Sequence, residues 1–221
     1  MKTSRLLPLL GAVLLALIGL VWLQQSPGLW RAPLTAAEVG AYLRRIDAQV
    51  PLRPEEKVAI LERVKAFGEA DDGRPVYMLN VMRFFDQIRP MAGGPNFEGT
   101  PVQANALYEE AATKLLLKNG GYPIYAGNTA EPNLFSTDAP LDHWSRVLVV
   151  RYPSRRAFLE LLADPAYGPI APYKLMSLDL MLTPTEVEMV VPELRLVTIV
   201  LALLVFMAAG WWRAARRGTR A

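Results

Sequence analysis

WSRVLVVRYPSRRAFLELLADPAY, residues 144–167, holds the clearest succession of elements in the chain. Its first nine residues are rich in β-branched and aromatic side chains, the composition of a strand. Pro153 lacks the N–H that a ladder needs and ends the strand, and Ser154 stands where a helix over RRAFLELLA needs its cap. The proline-rich DPAYGPIAPYK is then a broken helical turn, and MSLDLMLTP (176–184) reads as a closing strand.

Upstream, PVYMLNVMRF (75–84) is a strand apolar on both faces, interrupted only by Asn80 and Arg83. FDQIRPMAGGPNFEGTP is too polar and broken to be an element. A helix is expected over about 102–119, with Leu107, Ala111, Leu115 and Lys118 on one side and Gly120 and Gly121 stopping it. YPIYAGN (122–128) is a short strand, and AEPNLFSTDAPLDH connects it to the next. The order β-α-β-β-α-β is the split βαβ arrangement of a ferredoxin-like α+β domain, an antiparallel sheet with helices on one face. Strands apolar on both faces leave the other face in need of cover, and the nearest source is an identical subunit. A homodimer is therefore expected.

Before this domain, Thr35 and Glu38 form a capping box for a helix with Val39, Leu43, Ile46 and Val50 on one face, closed by Pro51. Pro54 opens a second helix, with Glu55 and Glu56 in its first turn and a stripe of Val58, Leu61 and Val64. This helical pair reads as a spacer, a lid or a plain packing hairpin.

Both ends of the 221-residue chain are apolar. Residues 6–23 and 196–212 contain no charged side chain. At ~1.5 Å per residue against a ~30 Å hydrocarbon core, each run is just long enough to span a membrane. Trp22, Trp30, Trp211 and Trp212 fit the headgroup level. Lys2, Arg5, Arg213, Arg216, Arg217 and Arg220 give the tails six positive charges and no negative one. Residues 31–195, with the other basic residues and all 21 acidic ones, carry −3 of the net +3. Basic tails put both termini in the cytoplasm and the central domain on the periplasmic or extracellular side of the inner membrane. The first run reads as a retained anchor, with a cleaved export signal as the other reading; QQSPGLW lacks a small-x-small site. A central domain without net positive charge excludes nucleic acid as a partner. The organisation is then 1–30 tail, transmembrane helix and linker; 31–74 helical pair; 75–184 ferredoxin-like domain; 185–195 tether; and 196–221 transmembrane helix and basic tail.

YMLNVMRF, the helix ending in Gly-Gly before YPIYAG, the run 144–167 and the closing strand together resemble the dimeric α/β-barrel superfamily, most of all its short uncharacterised bacterial domains. The resemblance covers residues 75–184, and its most specific part is strand–Pro153–Ser154–helix–Asp164-Pro165-x-Tyr167. It implies an α/β barrel made by two subunits. Cofactor-free monooxygenases, lactone isomerases, haem-degrading enzymes and small-ligand sensors share that fold, so it fixes no chemistry. In the oxygenases an Asn, a Trp and a Tyr around the sheet hold an aromatic substrate, and Asn80, Trp144 and Tyr108 or Tyr167 are the residues available here.

No phosphate loop, GxGxxG, GxSxG or HExxH occurs. With no Cys and a single His, neither a metal site nor a cofactor is expected. His143, between Asp142 and Trp144, carries the imidazole best suited to proton transfer near neutral pH. It reads either as an acid–base group or haem ligand at a pocket entrance, or as a loop residue hydrogen-bonded to its surroundings. Arg146 and Arg151 fall on opposite faces of their strand, so one of them must meet a carboxylate or ligand. The expected function is binding of a small molecule or protein by a membrane-anchored dimer. The alternative is a cofactor-independent oxygenase- or isomerase-like enzyme for a small hydrophobic compound.

Overall fold

The computed structural model describes residues 6–91, 93–135 and 143–218. Lys2, Arg5 and Arg220 of the tails, and Asp142 beside His143, lie outside them. The chain divides into two units, Met1–Glu186 and Val187–Ala221.

In the first unit, the apolar helix α1 (Leu6–Gln25) leads into a 3-10 turn, Pro27–Leu29. Helix α2 (Ala36–Gln49) opens on the capping box: the Glu38 amide donates to Thr35 Oγ1 at 3.3 Å, and the Thr35 amide donates to Glu38 Oε2 at 2.8 Å. Helix α3 (Pro54–Glu69) starts on its proline. Strand β1 (Val76–Phe84) precedes α4 (Pro101–Lys118), which opens on a second capping box, Thr100 with Gln103. Gly120, at φ 73°, takes the left-handed turn that ends α4, and the Gly121 amide donates to the Leu116 carbonyl at 2.9 Å. There follow β2 (Tyr122–Asn128), β3 (Arg146–Tyr152), α5 (Arg155–Leu162), the short α6 (Ala171–Leu175) and β4 (Leu178–Thr185). Ser154 caps α5, its Oγ accepting from the Ala157 amide.

The four strands form one antiparallel sheet in the order β2-β3-β1-β4. Ile124 bulges from β2, where pairing passes from Pro123 to Tyr125. Alternation gives the sheet two unlike faces. Val76, Met78, Asn80 and Met82 of β1 are all buried, with Val150 and Tyr152 beside them, under α4, α5 and α6. The opposite face carries Tyr77, Leu79, Val147 and Val149, half-buried, and Met181, exposed. Its edges hold the Arg83–Asp179 ion pair at 2.7 Å and Arg151, whose guanidinium donates to the Gln25 carbonyl at 3.2 Å.

Residues 31–74 and 75–184 share one core. Val39, Tyr42 and Ile46 of α2 join Val76, Met78, Phe158 and Leu159 in a single buried cluster. Gly68 lets α3 pass close: a Cβ there would meet Leu159 Cδ1 at 3.0 Å and Val39 Cγ1 at 3.1 Å. The buried Arg156 of α5 donates to Glu38 Oε1 at 2.6 Å and to the Ala32 carbonyl at 3.2 Å, tying α5 to the start of α2.

One helix face differs from its expected course. The buried side of α4 is Ala104, Asn105, Ala112 and Leu116, whereas Leu107 is 47% exposed and Lys118 is at the surface. Apolar residues surround this helix, so period alone does not choose a face. The buried side is instead the one that carries the small residues Ala104 and Ala112.

The second unit contains α7 (Leu194–Gly218). Among the described residues, Leu194–Arg213 is long and apolar enough to cross a membrane, and Leu9–Gln25 is a shorter apolar helix.

Candidate functional site

Between the buried sheet face and the helices lies a cavity of about 560 Å³, within the usual range for small-molecule sites. Ile46, Ile60 and Phe67 wall it from α2 and α3, Met78 and Leu148 from the sheet, and Phe158 from α5. Two lining residues, Ile60 and Leu182, are about two-fifths exposed and mark where it reaches solvent.

Polar groups gather at the Asn80 end of this apolar space. Asn80 faces inward, in register with Leu148 on one side and Leu182 on the other. Its amide nitrogen donates to the carbonyls of Met78 at 3.1 Å and Leu148 at 3.4 Å. Its amide oxygen accepts from Lys174 Nζ at 3.2 Å. Lys174 comes from α6, a helix begun at Ala171-Pro172 and steadied where Ser177 Oγ donates to the Lys174 carbonyl at 2.8 Å. The same ammonium stands 4.9 Å from the centroid of the Tyr108 ring. Tyr108 in turn meets Tyr167 edge to face, centroids 6.3 Å apart. Also on the lining, Glu109 pairs with Arg146 at 2.8 Å and accepts from Asn105 Nδ2 at 3.0 Å.

Lys174 is 8% exposed and meets no carboxylate within 4 Å among the described residues. Burial pulls its pKa down from the ordinary 10.5 to about 8; Arg146 acts in the same direction, and Glu109 works against both. Burial, and then neighbouring Tyr167, pushes the Tyr108 phenol well up, and burial raises Tyr167. The two tyrosines thus keep their protons and remain donors at neutral pH.

The cavity brings together Asn80, Tyr108 and Tyr167. It does not include the other two expected residues. His143 is exposed, and half-buried Trp144, whose carbonyl accepts from the Thr129 hydroxyl, is absent from the lining. Of the two strand arginines, Arg146 meets the carboxylate, and Arg151 turns to the opposite face and to Gln25. Lys174 is the residue that sequence reading passed over. Its signal is present nonetheless: between Asp164 and Asp179 it is the only charged side chain. Among the described residues no group of three or more acidic or imidazole side chains is arranged to hold a metal ion.

No family model matches the chain, and no curated protein matches it in sequence. Among solved structures, it is similar to a protein of unknown function from Rhodopseudomonas palustris, with 22% identity and a TM-score of 0.50. That match covers 65% of this chain and 98% of the other. The methylated form of that protein gives 23% identity and the same TM-score. The likeness is one of fold, which in this chain is mixed α+β and built on the four-stranded antiparallel sheet. SnoaB, a cofactor-independent oxygenase from Streptomyces nogalater, is similar at 14% identity and a TM-score of 0.36, over 54% of this chain and 99% of SnoaB.

Proposed function

We propose that the protein is a membrane-anchored homodimer of the ferredoxin-like, dimeric α/β-barrel type, whose cavity binds a small hydrophobic molecule. The cavity carries this reading. It is walled by aliphatic and aromatic side chains, with a few convergent polar groups at one end to orient what enters.

The dimer is supported by the second sheet face, where Tyr77, Leu79, Val147 and Val149 form an apolar strip that a copy of itself would cover about a two-fold axis. Anchoring is supported by the apolar helix Leu194–Arg213 and the uncharged run 6–23. The positive tails favour an inner-membrane protein with cytoplasmic termini and its central domain on the periplasmic or extracellular side. Native mass spectrometry of the detergent-extracted full chain tests the reading. Two chains carrying a small hydrophobic compound are expected; a monomer with no ligand, which also fails to take up phenylbutanol, would contradict it.

A cofactor-independent oxygenase- or isomerase-like activity is favoured by one observation, the meeting of Asn80, Tyr108, Tyr167 and Lys174 at one end of the cavity. Conversion of the retained compound by the wild type, and not by Asn80→Leu, would support it. Release of an unaltered compound after prolonged incubation in air would leave binding as the function.

A further inference from the structure

We infer that the cavity's ligand is an acid: a molecule with an apolar body and one carboxylate, which binds against the Lys174 ammonium. The inference rests on the cavity being a small-molecule site and adds the chemical class of what fills it. Two cations stand near this end, Lys174 on the lining itself and Arg146 paired with the lining residue Glu109, and their situations differ. Arg146 is neutralised by Glu109 at 2.8 Å. Lys174 is more than nine-tenths buried, yet the only hydrogen-bond partner of its ammonium among the described residues is the neutral amide oxygen of Asn80. An ammonium has three protons to donate, and a charge removed from water needs a counter-charge. The Tyr108 ring face supplies a partial one.

One uncompensated positive charge matches one carboxylate, and the surrounding walls match an apolar body. Glu109 does not serve as the internal counter-ion, because Arg146 and Asn105 already engage both of its oxygens. Arg63 of α3 and Arg155 of α5 also line the cavity, but Arg155 pairs with Glu186 at 3.3 Å and Arg63 is exposed. Neither is a buried cation without a carboxylate.

The test compares phenylbutyrate with phenylbutanol, which share a body and differ in the charged end, by calorimetric titration of the full chain in detergent at neutral pH. The acid should bind roughly tenfold tighter or more, the margin of a charged hydrogen bond over a neutral one. Lys174→Met should abolish that preference. Should the variant not fold, the wild type alone decides: preference for the acid should shrink as pH is raised past about 8, where Lys174 gives up its proton. Equal or tighter binding of the alcohol overturns the inference and leaves the cavity as a binding site. A preference that survives Lys174→Met, or that is flat in pH up to 10, also overturns it. If neither compound binds, the binding reading falls with it.

Discussion

Among the described residues of the first unit two cations lie buried, and they are compensated in opposite ways. Arg156 on α5 is 6% exposed and has the Glu38 carboxylate, the Ala32 carbonyl and a position between α2 and α5. Lys174 on α6 is 8% exposed and has one neutral amide and the face of a ring. Burial alone therefore does not separate a structural charge from a functional one. Arg156 is complete within the fold and serves to hold the helical pair against the sheet domain. Lys174 is incomplete and borders a cavity.

The contacts around Arg156 should dominate stability. Leu159, one turn along the same helix and fully buried against Gly68, is the reference. Leu159→Ala should lower unfolding free energy by about 2–5 kcal/mol in urea denaturation. A loss under 1 kcal/mol would mean that the helical pair is not packed there as described.

Lys174 should appear next, as a pH effect of the opposite sign. Its folded pKa of about 8 lies below the ordinary 10.5, so between these values the unfolded chain binds more protons and stability rises with pH. The rise is on the order of 2–3 kcal/mol at most. It should be missing in Lys174→Met. Because any loss from unpairing Asn80 is independent of pH, the difference between the two proteins isolates the lysine. Parallel stability curves from pH 8 to 10.5 would show that Lys174 is not held away from water.

Glu38 supplies the acid limb. Its carboxyl is lowered to about 2, first by Arg156 and then by the Thr35 amide and hydroxyl. The stability it contributes is present above the ordinary value of 4.5 and fades as pH falls toward 2. The effect should be smaller than that of Lys174, because the Glu38 side chain is 42% exposed. Glu38→Gln should flatten this part of the curve, measured by thermal melts across the acid range.

The smallest effect belongs to His143. It sits exposed outside the cavity, so His143→Ala should change stability by no more than ~0.5 kcal/mol and leave ligand retention intact. Loss of ligand from a folded His143→Ala protein would move the site to the mouth of β3.

The elements were legible wherever their signals are local. Pro153 and Ser154 separate β3 from α5 within two residues, and Thr35 with Glu38 announces α2. The same type of signal at Thr100 and Gln103 was there to be read, yet the helix was expected to begin only after Pro101. The site was legible in part. Asn80 stands out as a polar residue in an apolar strand, and Tyr167 closes the motif carrying the resemblance, while Tyr108 lies on α4. Lys174 reaches Asn80 across 94 positions of sequence, through a meeting of α6 with β1 that no local pattern encodes. His143 drew attention by being the only histidine, which is a fact of composition and not of place.

The central claim is that the ligand enters the cavity beside Lys174 and not the region of His143. Isotope labelling of the lysine side chains and of the single histidine ring allows both to be followed by NMR in the full-length protein as phenylbutanol is added. The Lys174 resonance should shift and saturate while the His143 ring signals stay in place. Movement of the His143 signals with Lys174 unchanged would contradict it.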